Sequence, residues 1–239
     1  MRIGIDFDNT IICYDEVFRH LAIAWQLLDK TDQGSKRQLR DKIRLLSDGE
    51  LLWQRMQGQV YGAQIHQANL FDGFKEFVAM CNNHPQVEIY IVSHKTEFGH
   101  FDESRVNLRD AARRWLSDQG FFNSGDTHIR EANIFFETTR EDKINRIKAL
   151  QCTHFIDDLV EVLDSPLFPA GVERFLFQPK IDPQLVDTVI PRTLLARDPA
   201  PFEDAGSRPK TCRDDDNFQN KYLKHYSSWT EIKNAIFRS

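Results

Sequence analysis

Apolar and polar positions in this chain follow two alternating patterns. Short apolar runs recur at Arg2-Ile3-Gly4-Ile5, Val87-Glu88-Ile89-Tyr90-Ile91-Val92, Asn133-Ile134-Phe135-Phe136, Thr153-His154-Phe155-Ile156 and Val172-Glu173-Arg174-Phe175-Leu176-Phe177. Rich in β-branched and aromatic residues, they read as buried strands. The intervening stretches carry helical spacing and predict helices over 73–83, 104–119, 141–150 and 159–164. In 104–119, Val106, Leu108, Ala112, Trp115 and Leu116 make an apolar stripe. Strand–helix alternation predicts an α/β fold, a Rossmann-like parallel sheet with helices on both faces and right-handed crossovers. Ligands of such sheets bind outside the carboxyl ends of the strands.

Two segments interrupt the alternation. Residues 14–71 hold three helical stretches, 15–28, 35–46 and 49–60, separated by the turn signals Thr31-Asp32-Gln33-Gly34 and Ser47-Asp48-Gly49. An insert here, directly after the first strand, suits a small α-helical cap over the strand ends; decoration of the sheet edge is the other reading. The core then comprises 1–13 and 72–239. Within it, residues 179–225 carry Pro183, Pro191, Pro199, Pro201, Pro209 and the run Asp214-Asp215-Asp216, which predicts an irregular extension. A final helix, with Ser228 or Thr230 near its start, is expected to dock Trp229, Ile232 and Ile236 on the core.

Composition narrows the function. A formal charge of −5 without any dense Lys/Arg run argues against an extended nucleic-acid surface, while leaving room to bind one phosphate. No apolar run approaches the ~20 residues of a membrane span. The first apolar run ends in acid, unlike a signal peptide. Cys13, Cys81, Cys152 and Cys212 are far apart, as expected of reduced thiols and not of a disulfide framework or zinc site. These features predict a soluble, cytoplasmic protein; oligomeric state stays open.

The candidate chemistry begins at the first strand, which delivers Asp6 and Asp8 into a polar turn. Like charges so close repel, and a hard divalent cation would remove that penalty. Asp6 therefore reads as nucleophile or metal ligand and Asp8 as an acid/base partner, against an Asx-turn as the plainer account. The second strand runs into Ser93-His94-Lys95-Thr96, where the Ser93 hydroxyl and following amides suit an anionic oxygen. Lys143 opens a helix, where the macrodipole disfavours a cation; it is either a phosphate neutraliser or simply solvated. Asp157-Asp158 follows the fourth strand and suits cation ligation or helix capping.

Acid pair, strand-end serine, lysine and acid pair, in this order, resemble the four motifs of the haloacid dehalogenase superfamily. The resemblance spans residues 1–178 and is best at 3–10, 88–96 and 143–158; residues 14–71 match in position only. It implies that Asp6 attacks phosphorus to form an aspartyl-phosphate. Asp8 would serve as acid and base and lend its backbone carbonyl to the metal shell. Ser93 and Lys143 would hold phosphoryl oxygens. Asn9, Thr10, His94 and Lys95 would lie on the substrate side, with Thr10 orienting the loop. The implied cofactor is Mg2+, held by Asp6, Asp8 and Asp158 with Asp157 in support; the family's usual Gly-Asp makes Asp157 a departure. The implied activity is a Mg-dependent phosphohydrolase, a phosphomonoesterase acting on a small phosphorylated metabolite such as a sugar phosphate or nucleotide. Alternatives are a phosphotransferase with a non-water acceptor and a non-catalytic phospho-ligand or partner-binding protein on the same scaffold. His94, Lys95 and His100 suit substrate contact or local bonding; Trp53, Arg55, Gln57 and Tyr61 suit closure of the cap or its packing.

Overall fold

The computed structural model describes residues 1–32, 34–179 and 223–238. In chain order its elements are β1 (Arg2–Ile5), β2 (Ile12–Cys13), α1 (Asp15–Ala24), α2 (Lys36–Arg44), α3 (Gly49–Tyr61), β3 (Asn69–Leu70), α4 (Phe74–Asn82), β4 (Glu88–His94) and α5 (Leu108–Asp118). There follow β5 (Ile134–Glu137), α6 (Arg140–Ala149), β6 (His154–Asp157), α7 (Val160–Leu163), β7 (Glu173–Phe177), β8 (Lys224–Tyr226) and α8 (Trp229–Ile236). Six strands form one sheet in the order β5-β4-β1-β6-β7-β8, every neighbouring pair parallel.

Period-two alternation sorts the strand side chains onto two faces. Ile3, Ile5, Ile89, Ile91, Ile134, Phe136, Ile156 and Phe175 join Phe74, Phe77, Trp115 and Trp229 in one apolar cluster, which places α4, α5 and α8 on that face. Val92, Phe155 and Leu176 point the other way, onto Ile144 and Ile147 of α6 and Val162 and Leu163 of α7. The expected two-faced α/β architecture is therefore present. Gly4 in the central strand is required by this packing, because a Cβ there would lie 2.5 Å from Cδ2 of Phe155.

The local differences from expectation have local causes. Helix α5 starts at Leu108 and not at 104, because the Asn107 side chain caps it by accepting the N–H groups of Arg109 and Asp110. Helix α1 stops at Ala24, and Gln26 turns left-handed (φ 57°). Strand β4 runs two residues beyond the predicted 87–92, so Ser93 and His94 are still paired, with Phe136 and Glu137. Residues 224 and 225, expected in the irregular extension, instead open β8 beside β7. Residues 180–222 of that extension, with Cys212 and Asp214-Asp215-Asp216, lie outside the described residues. Among the described residues no helix is long and apolar enough to cross a membrane.

The insert carries α1, α2 and α3 and is framed by the antiparallel pair β2–β3. Its inner residues Phe18, Leu39, Ile43, Trp53, Met56 and Val60 are continuous with the cluster around Ile3, Ile5 and Phe7. Helix α3 lies against the loop after β4. Gly58 permits that approach, since a Cβ on it would meet Cβ of Asp102 at 2.5 Å. Gln59 Nε2 donates to Asp102 Oδ1 at 2.6 Å. At the other end of the chain Ser228 caps α8, and the buried Trp229 donates its indole N–H to the Thr10 carbonyl at 3.0 Å. Thus the last helix grips the loop that follows β1.

Gly4→Ala is expected to destabilise the protein by about 1–3 kcal/mol, the usual range for overpacking a filled core. Urea unfolding checks this: an unchanged midpoint would show that Phe155 moves aside freely.

Candidate active site

β1 ends between two strands, and Asp6 continues it by donating its N–H to the Ile156 carbonyl at 2.9 Å. The chain then folds tightly: the Phe7 carbonyl accepts the N–H groups of Ile11 and Ile12 at 3.0 and 3.2 Å. Asn9 takes the left-handed conformation (φ 59°) that asparagine tolerates better than most residues. Asp6 is thereby held almost fully buried, with 4% of its surface exposed.

Its counter-ion is Lys143. The ammonium lies 2.6 Å from Asp6 Oδ1 and 2.6 Å from Asp157 Oδ2, and all three side chains are buried. The solvated reading of this lysine is therefore wrong. Its place in the first turn of α6, after the Thr139 cap, points it inward under the strand ends. Burial opposes its charge, but Asp157 and Asp6 outweigh burial and hold the ammonium above its ordinary pKa. A buried ion is tolerated only when so paired.

Asp6, Asp157 and Asp158 each offer a carboxylate oxygen, and the three oxygens lie within 4.8 Å of one another. Asp157 is largely committed: Oδ2 faces Lys143 and Oδ1 accepts the Leu159 N–H at 3.0 Å. Burial pushes it upward, Lys143 pulls it back, and Asp6 adds to the rise. Asp158 has no hydrogen-bond or ion-pair partner among the described residues. Burial, then Asp157 and Asp6, push it well above the usual carboxylate range. An all-oxygen set with a carboxylate that no hydrogen bond or contact ion pair engages fits a hard divalent cation, with Asp6 and Asp158 as the available ligands.

Asp8 does not join that cluster through its side chain. The Tyr14 hydroxyl donates to its Oδ1 at 2.6 Å, and Lys95 Nζ lies 2.9 Å from Oδ1 and 2.8 Å from Oδ2. Lys95, expected on the substrate, is buried and serves Asp8. Both residues open on a cavity of about 420 Å3, together with Asp6, Asn9, Ser93, His94, His100, Lys143 and Asp158. Ser93 is buried and its hydroxyl has no hydrogen-bond partner among the described residues, which leaves that hydroxyl for a ligand. Thr10 is different. It is fully buried and does not line the cavity, so it acts on the loop and not as a substrate contact.

The insert contributes more than its apolar face. Of the four residues singled out there, Gln57 and Tyr61 line the cavity, Trp53 stacks on Phe18 at 4.6 Å, and Arg55 lies in a separate cleft with Trp25 and Phe101. Sequence reasoning passed over Tyr14 and Lys36. Lys36 reaches Asn9 Oδ1 at 3.3 Å and also lines the cavity. A lysine at the first position of a helix, opposed by the macrodipole, was the available signal, the same one that marked Lys143. Arg109, also passed over, joins the loops after β4 and β5 by donating to the Lys95 carbonyl and the Thr138 hydroxyl.

No family model matches the chain, and no curated protein matches its sequence. Solved structures do. One is a haloacid dehalogenase-superfamily hydrolase from Ehrlichia chaffeensis, at 14% identity and TM-score 0.47 over 98% of this chain and 95% of that one. A second is a putative hydrolase of that superfamily from Bacillus subtilis, bound to magnesium, at 13% identity and TM-score 0.48 over 100% and 98%. A third is a phosphoserine phosphohydrolase-like protein from Francisella tularensis, at 16% and 0.44 over 74% and 87%. The likeness is to haloacid dehalogenase-superfamily hydrolases. At these identities and TM-scores it concerns general architecture, and the chemistry has to come from this chain's own side chains.

The raised Asp158 pKa has a testable sign. A carboxyl raised on folding favours the fold at low pH, and that contribution is lost as pH rises through its folded value. Asp158→Asn should therefore raise the melting midpoint of the metal-free protein at pH 8 by roughly 2–4 °C, the shift about 1 kcal/mol gives at this size. The gain should shrink toward pH 4. Mg2+ should raise the wild-type midpoint and leave the variant's unmoved; equal responses would remove Asp158 from the cation site.

Proposed function

We propose that this protein is a magnesium-dependent phosphohydrolase of the haloacid dehalogenase type, which cleaves a small phosphorylated metabolite through an aspartyl-phosphate on Asp6. The observation that carries this reading is the pairing of Asp6 with a fully buried Lys143 on the wall of a cavity, beside an Asp158 that no hydrogen bond or contact ion pair engages among the described residues. A carboxylate so placed keeps Oδ2 free while Lys143 holds Oδ1.

In the first step Asp6 Oδ2 attacks phosphorus as the bond from phosphorus to the leaving oxygen breaks. Asp8 gives that oxygen a proton. In the second step Asp8 takes a proton from water as the water oxygen attacks phosphorus, which releases inorganic phosphate and restores Asp6. Tyr14 and Lys95 fix the Asp8 carboxyl at the cavity wall. Ser93 and Lys143 bind phosphoryl oxygens. Asp6 and Asp158, with the Asp8 backbone carbonyl, would hold Mg2+, which when bound supplies positive charge against the charge of the transferring phosphoryl group. Positioning and charge neutralisation account for most phosphoryl-transfer catalysis. The helices of residues 14–71 act as the cap, whose contacts at Gln57 and Tyr61 enclose the leaving group and exclude water.

The test is phosphate release from a generic aryl phosphate with and without Mg2+. Asp6→Asn should show no turnover and a native circular-dichroism spectrum. Asp8→Asn should lose about 10²–10⁴-fold, the typical worth of general acid–base catalysis. Full activity in Asp6→Asn would reject the nucleophile assignment.

A further inference from the structure

Among the described residues, Lys36 is a cation of the cavity wall that the proposed chemistry leaves unused. Lys143 is paired with Asp6 and Asp157, and Lys95 with Asp8. Lys36 makes no ion pair among the described residues; its ammonium has the neutral Asn9 oxygen at 3.3 Å. Three aromatic rings surround it, with Nζ 5.1 Å from the centroid of Tyr61, 5.4 Å from Phe18 and 5.9 Å from Tyr14. The adjacent carboxylate of Asp15 accepts the Lys36 backbone N–H at 3.0 Å and not its ammonium.

Burial opposes the charge of the ammonium, but the Tyr61 hydroxyl, with Asp8 and Asp158 facing it across the cavity, outweighs burial and holds it above its ordinary pKa, so it stays charged toward the cavity. A helix start disfavours a lysine, and ordering the long side chain of a lysine costs entropy. Ring faces offset part of the desolvation but supply no counter-charge. The capping box of Ser35 and Gln38 fixes the helix start, so the ammonium is held in place ahead of any ligand. Of the rings on the remaining wall, Tyr61 is turned to Lys36 and Lys95, and the others are the imidazoles of His94 and His100.

We infer that Lys36 forms a second anion subsite, and that the substrate is a small phosphomonoester whose leaving group carries another anionic group, a carboxylate or a second phosphate. The inference rests on the phosphohydrolase reading and narrows it. The scissile phosphoryl group lies at Asp6, Ser93 and Lys143; the second anion lies toward the insert, on Lys36. Arg140, exposed at the cavity wall and without a partner among the described residues, adds positive charge to the entrance.

Three matched compounds test it: 3-hydroxypropyl phosphate, its carboxylate analogue 3-(phosphonooxy)propanoate, and propane-1,3-diyl bisphosphate. The kcat/KM of each is measured with Mg2+ for wild type, Lys36→Met and Lys36→Arg. Wild type should prefer one or both of the doubly anionic compounds by at least tenfold, and the preferred one tells carboxylate from phosphate. Lys36→Met should lose that preference and Lys36→Arg should keep most of it. An equal fall on all three compounds would place Lys36 on the scissile phosphate and overturn the inference; so would a preference unchanged in Lys36→Met. Absence of preference in wild type overturns it even if the variant fails to fold. If wild type hydrolyses none of the three, the phosphohydrolase reading fails. The subsite is then judged by calorimetric binding of the same compounds, where equal affinities would overturn it and a Lys36-dependent preference would uphold it.

Discussion

Everything at the carboxyl edge of this sheet depends on one buried cation. Lys143 stands between Asp6 and Asp157, 2.6 Å from each. Without it two carboxylates would be buried side by side, and the strand ends of β1 and β6 could not both terminate in acid. With it, the sheet can present Asp6 in a nearly dry setting, where electrostatic interactions are stronger than in water. In the proposed reaction the same charge that permits the fold also meets the phosphoryl oxygens.

A second layer of charge is assembled around this triad. Asp8 is fixed by Tyr14 and Lys95, so its orientation depends on the start of the insert as well as on the end of β4. Asp158 has no hydrogen bond or contact ion pair among the described residues, which leaves its oxygens open to a cation in the proposed reaction. The loop between these acids is held from far along the chain by the Trp229 indole N–H on the Thr10 carbonyl. Rigid support of this kind is what a positioned carboxylate needs.

The sheet was legible because its strands are buried on both faces and read as apolar runs with sharp polar ends. Asp6, Ser93 and Asp158 were marked as acid or hydroxyl at the end of such a run and Lys143 as a cation at a helix start, and it was their order along the chain that made them specific. The burial of Lys143 was not legible, since sequence shows its position on a helix and not the two carboxylates beneath it. β8 escaped because Lys224-His225-Tyr226 is short and largely exposed. Tyr14 and Lys36 escaped for another reason. Lys36 reaches the cavity only after the insert has folded back on the strand ends, and Tyr14, fully buried and outside the cavity lining, meets Asp8 through a turn whose shape apolar spacing does not encode. Lys95 was assigned to the substrate because its neighbour Ser93 was; its ion pair with Asp8 spans 87 positions of chain.

The central claim is that Lys143 balances two buried carboxylates, and urea unfolding of a double-mutant cycle tests it most directly. Lys143→Met should cost about 3–5 kcal/mol, the usual penalty for leaving buried charge unpaired. In the Asp157→Asn background the same substitution should cost at least about 1 kcal/mol less, the coupling expected of residues in one ion-pair network. Additive costs in the double variant, or a loss below about 1 kcal/mol in Lys143→Met, would contradict the account.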